Sequence, residues 1–192
     1  MKGFFKYIFV FLSIFVIFSL PIVAENRRNI PLDMFLIVDA SQSMENSKNE
    51  AIAWLNQRVV GEILMDGDRI TIWSAGDRPE IIYSDTISGD VSKNELRAVL
   101  QGLETRGQMA DFSGALRDLQ GRIANVHPNR IAYSMLITAS AESLEPVLSG
   151  DTRSLLRWSR SERYERWQVL ILAPEIGPMV QQAANEFIRA LE

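Results

Sequence analysis

The sequence predicts an α/β fold of three layers, with a mainly parallel central sheet and one short antiparallel hairpin at its edge. Three observations predict it. The run Met34-Phe35-Leu36-Ile37-Val38 has no polar alternation, the pattern of a strand covered on both faces. Such runs alternate with helical patterns along the chain, which argues for parallel pairing with helices on both sides of the sheet. The exception is the connection Ala75-Gly76-Asp77, which is too short for a crossover, so the strands it joins run antiparallel.

Taken in order, Lys2 and Lys6 precede an apolar run from Tyr7 to Ala24, a positive region followed by a hydrophobic one. Pro21 and Ala24 fit cleavage after Ala24, although Ile22 is a large residue for the −3 position. The run is also nearly long enough to span a bilayer as an uncleaved anchor. Either reading exports the rest of the chain, to a periplasmic or extracellular location or to the outer face of the cytoplasmic membrane. Membrane contact is expected only through residues 1–24. Residues 25–30 read as a linker and 31–192 as one domain.

The first strand ends in an acid and two hydroxyls, Asp39, Ser41 and Ser43. Asn46 is the expected cap of a helix through Leu64, with Ile52, Leu55, Val59 and Ile63 on one face. Asp66-Gly67-Asp68 reads as a solvated turn. Arg69–Ser74 and Ile81–Tyr83 are the hairpin strands. Ser92, with Glu95 three residues on, predicts a capped helix to Leu103. From Asp111 the spacing of Leu116, Leu119 and Ile123 is helical again. Arg130–Ser140 is a buried strand, Thr152–Arg166 a helix and Trp167–Leu172 a last strand. Pro178 opens a final helix carrying Val180, Ala184, Phe187 and Leu191 on one side.

Composition excludes several function classes. Of 192 residues none is Cys and one is His, so a zinc–thiolate site and a thiol nucleophile are ruled out. The net charge of −4 disfavours a nucleic-acid partner, because phosphate binding needs clustered Lys and Arg. His127 lies in the turn sequence Val-His-Pro-Asn and reads as a loop residue. Neither serine sits in a Gly-x-Ser-x-Gly elbow, and no Gly-rich loop ends in Lys-Ser or Lys-Thr. Arg153, Arg157, Arg160, Arg163 and Arg166 form a basic stripe. It reads as a solvated, ion-paired face, or alternatively as a docking surface for an acidic partner or lipid headgroups.

Asp39, Ser41 and Ser43 stand where ligands bind in open α/β sheets, outside the carboxyl end of a strand. Oxygen donors suit a hard cation such as magnesium. Asp-x-Ser-x-Ser at this place, together with the element order, resembles the metal-ion-dependent adhesion site of von Willebrand factor type A (VWA) domains. The resemblance runs from Asn29 to the carboxyl end. It implies a Rossmann-like VWA fold and a protein-interaction module that is not an enzyme, with a protein partner and Mg2+ or Mn2+ at Asp39, Ser41 and Ser43.

It also implies a Thr before the helix that follows the hairpin and an Asp at the end of the next buried strand. Ala110 and Ala139 fall at those two positions, so the site is expected to be degenerate, with cation binding weak or absent. Asp111 and Glu142 are the candidate substitutes. In the alternative without a cation, the three side chains bond loop amides and cap the next helix. Two other functions stay open, a metal-assisted hydrolase using the same cleft and a structural subunit of an envelope assembly.

Overall fold

The computed structural model describes residues 28–139 and the backbone of 165–171. The signal or anchor segment, Glu142, the helix expected from Pro178 and most of the basic stripe lie outside the described residues. Strand β1 (Leu32–Asp39) leads through a 3-10 turn at Gln42–Met44 into helix α1 (Lys48–Trp54). The helix continues without a break as a π-helical segment, Leu55–Ile63. Hairpin β2 (Arg69–Ala75) and β3 (Pro79–Thr86) follows, then α2 (Gly89–Gln101), α3 (Phe112–Ile123), β4 (Ile131–Thr138) and β5 (Glu165–Ile171).

The sheet order is β3-β2-β1-β4-β5, with β1 in the middle. β2, β1, β4 and β5 are parallel, and β3 is antiparallel at the edge, as the short connection required. The position of β1 explains its lack of alternation, because all eight of its residues are buried. Met34, Leu36 and Val38 face one core with Leu55, Val59 and Leu96. Phe35 and Ile37 face the other with Trp73, Phe112 and Leu116.

Four local expectations need correction. The first long helix is capped at Ser47, not Asn46, and its second half bonds i to i−5, with the Leu64 amide donating to the Val59 carbonyl at 2.9 Å. Buried Leu55, Val59 and Ile63 keep one face inward in either helix geometry, so their spacing does not reveal the wider winding. Helix α2 begins at Gly89, with Ser88 as its cap, and ends at Gln101. Ser92 lies within its first turns. It accepts from the Ser88 amide at 2.7 Å and donates to the Gly89 carbonyl, and so satisfies the helix start from inside. The Arg/Glu spacing extended a helix through Arg166, yet Glu165 and Arg166 belong to β5, paired with Ala132 and Tyr133 of β4. Pairing along the whole of β4 outweighs the local pattern there.

The fourth correction is at the amino-terminal end of the sheet, its base. Asp68 is 1% exposed, not solvated. Its carboxylate pairs with the Arg28 guanidinium and accepts from the amides of Leu32 and Met65, each at 2.8 Å. Arg28, in the expected linker, is itself buried. Beside it Asp33 pairs with both Arg69 and Arg130. The Asp33 bond holds the Arg69 pKa above its ordinary value, against an opposing effect of burial.

Candidate functional site at the carboxyl end of the sheet

Asp39 closes β1 and is fully buried. The chain turns at Ala40, whose amide donates to the Ala75 carbonyl at the end of β2. That turn folds Ser41 back over the carboxylate. Ser41 donates twice to Asp39 Oδ1, from its amide at 2.8 Å and from its hydroxyl at 2.6 Å. The Ser41 and Ser43 hydroxyl oxygens are 2.9 Å apart. The structure therefore brings the three predicted residues together. Neither Ser41 nor Ser47, the caps of the two following helical segments, makes a side-chain capping bond. The hydroxyls serve the carboxylate rather than a helix start.

Thr138 joins this group, and sequence reasoning did not single it out. Its hydroxyl donates to Asp39 Oδ2 at 2.6 Å, and the residue is fully buried. The parallel register pairs Val38 with Ile137, which sets the ends of β1 and β4 side by side. The available signal was a hydroxyl residue ending an apolar strand.

Backbone bonds knit the segment between α2 and α3 to the turns after β1 and β2. The Arg106 amide donates to the Ala40 carbonyl, Gln42 to Gly107 and Asp111 to Gly76. Gly76 is required by this packing, since a Cβ there would lie 2.5 Å from the Arg106 carbonyl oxygen. Gly107 has φ +88°, the left-handed region that glycine adopts freely. A groove of about 500 Å³ opens alongside, lined by charged residues including Arg78, Glu80, Glu104 and Arg106. Hydrogen bonding to Arg106 holds the Glu104 carboxyl below its usual range.

Asp111 is committed elsewhere. It caps α3, accepting from the Gly114 amide at 2.8 Å. Ala110 and Ala139 are partly buried and pack against the two cores. His127 is exposed in the turn before β4, as the sequence indicated.

A small divalent cation such as magnesium takes six oxygens in near-octahedral geometry. The described residues offer one carboxylate, with three hydrogen bonds already directed at it, and hydroxyls. Among the described residues, no group of three or more His, Cys, Asp or Glu side chains is placed to hold a metal. The described donor set does not by itself fit a resident divalent ion.

The sheet order, the edge hairpin and this loop arrangement can be compared with known proteins. A von Willebrand factor type A structure from Catenulispora acidiphila superposes with a TM-score of 0.57, at 17% identity over 84% of this chain. The manganese-loaded TRAP protein of Plasmodium vivax gives a TM-score of 0.61, at 18% identity over 82%. The fold is that of a von Willebrand factor type A domain. The chain spans 42% and 63% of those two structures. An uncharacterized protein of Treponema pallidum (strain Nichols) is 24% identical over 174 residues, 86% of this chain and 78% of the relative. No family model matches the chain. One VWA-fold neighbour thus carries manganese, while the cluster around Asp39 here is closed by hydroxyl and amide donors.

Proposed function

We propose that this protein is an exported, non-enzymatic protein-interaction module that engages its partner at the carboxyl end of the sheet without a divalent cation. The observation that carries this reading is the closed set of bonds around Asp39. Three donors from Ser41 and Thr138 occupy the carboxylate, and the two positions of the expected further ligands are packed alanines. The loops around it are pinned to one another, so they present a preorganised surface, which lowers the cost of binding. Gln42 and Ser43 are exposed there, and Met109 is 63% exposed between α2 and α3. An exposed methionine is an adaptable apolar contact of the kind used at binding surfaces.

Site-specific photocrosslinking tests this. A crosslinker at Gln42 should capture a partner protein, whereas one at Asn129, on the opposite end, should not. Met109→Asp should abolish capture, and chelator should leave it unchanged. Capture that requires added magnesium would overturn the cation-free reading. Capture from Asn129 alone would overturn the choice of face. Turnover in a hydrolase screen with divalent ions would replace the module by an enzyme.

A further inference from the structure

Arg28 is where the described chain begins, and it is not free to swing. Its guanidinium is buried against Asp68, which also holds the Leu32 amide. Three residues on, Pro31 accepts from the Ile131 amide at 3.0 Å. The chain is therefore fixed to the base of the sheet from Arg28 onward. By sequence, only Glu25, Asn26 and Arg27 separate it from the apolar run Tyr7–Ala24. Four residue steps reach at most about 14 Å even when fully extended.

Two of the large apolar side chains exposed among the described residues stand at this same end. Ile30 is 49% exposed beside the tether. Val91 is 71% exposed in the first turn of α2, which is tied to the turn before β2 by a bond from the Gly89 amide to Asp66. Three cations of the base are engaged internally, Arg28 on Asp68 and both Arg69 and Arg130 on Asp33. Exposed Asp66, Asp85 and Asp90 share this end. This end therefore offers anionic headgroups little to bind, and the short tether and the two exposed apolar side chains are the features that suit contact with lipid.

We propose that Tyr7–Ala24 stays uncleaved as a membrane anchor and that the base of the domain rests on the bilayer surface, with the Asp39 face turned outward. Ile22 at the −3 position, a poor residue for cleavage, agrees with retention of the run. The eight residues of β1 are roughly 26 Å long at the usual rise, so the Asp39 face stands about that much further from the lipid. The proposal rests on export of the chain and not on the identity of any partner.

The absence of cysteine makes single-site labelling clean. The full chain carrying Asn129→Cys at the base, or Ser43→Cys at the far end, is labelled with a fluorophore. Each is placed in phosphatidylcholine vesicles bearing nitroxide on the headgroups. Quenching should be several-fold stronger at position 129 than at 43 and unchanged by high salt, since bound charge pairs and tether length are not screened. A flexible Gly/Ser insert of about twelve residues between Asn26 and Arg27 adds on the order of 20 Å of reach and should erase most of the difference. Equal quenching at the two positions, a strong salt effect or indifference to the insert would each overturn the orientation. A native chain beginning at Glu25 and free of membrane would overturn the anchor while leaving export standing.

Discussion

The two ends of β1 each carry a buried aspartate, and the partners of the two differ in kind. At the base, Asp33 is 2% exposed and meets Arg69 and Arg130, and neighbouring Asp68 meets Arg28. At the carboxyl end, Asp39 is fully buried and its described partners are two hydroxyls and an amide, all neutral. The base is thus a joint of ion pairs between distant segments, while at the other end a carboxylate held by neutral donors lies just beneath an exposed surface. The first arrangement holds the fold together. The second is what a binding face needs, and its position agrees with where open α/β sheets place their ligands.

The same substitution made at both ends gives the sharpest contrast. Asp68→Asn breaks the buried Arg28–Asp68 ion pair, and breaking a buried pair typically costs about 3–5 kcal/mol. Asp39→Asn breaks no ion pair among the described residues. The amide oxygen can still accept from Ser41, and the Thr138 hydroxyl can turn to accept from the new amide. The loss is that between charge-assisted and neutral hydrogen bonds, about 1 kcal/mol. Urea unfolding of the two variants measures both. Equal losses would show that the carboxyl end is as structural as the base, and the comparison would fail.

Much of this is legible in the sequence, and the reasons for what is not are physical. Met34–Val38 announced a central strand because both faces of that strand are covered, so nothing polar is tolerated along it. Asp39, Ser41 and Ser43 could be grouped because they are two residues apart on one turning loop. Thr138 could not, because it reaches Asp39 only through the register of β1 on β4, a relation across 99 residues of chain. Asp68 looked like a solvated turn acid because Asp-Gly-Asp is a turn by local rules. Its burial is decided by Arg28, 40 residues earlier. Local patterns specify faces and turns; pairings between distant polar groups are fixed only once the sheet has assembled.

Thr138 offers a smaller break in the comparison. Thr138→Val keeps the shape but removes the donor to Asp39 Oδ2, leaving a buried acceptor without it at a cost of about 1–3 kcal/mol. Combined with Asp39→Asn, the double variant should lose less than the sum of the single ones, with a coupling above roughly 0.5 kcal/mol, as expected for residues in contact. Strict additivity in urea unfolding would mean that the two side chains do not share a bond in solution.

The smallest expected effect is the response to magnesium. A ligand that binds only the folded state stabilises it by about 2.7 kcal/mol when free ligand is a hundredfold above its dissociation constant. An adhesion site with its full ligand set would therefore show a clear rise in melting temperature at millimolar magnesium over chelator. Here Oδ1 and Oδ2 of Asp39 already accept three hydrogen bonds, and Ala110 and Ala139 bring no oxygen from their side chains. Little or no rise is expected for the unmodified chain. The pair Ala110→Thr with Ala139→Asp adds a hydroxyl and a second carboxylate at the two alanine positions, and a magnesium-dependent rise should then appear. Ser41→Ala in that background should remove it again. A large shift in the unmodified protein would assign the missing ligands to a group such as Glu142, outside the described residues, and the carboxyl end would then resemble the base after all, with a metal ion in the place of the guanidinium.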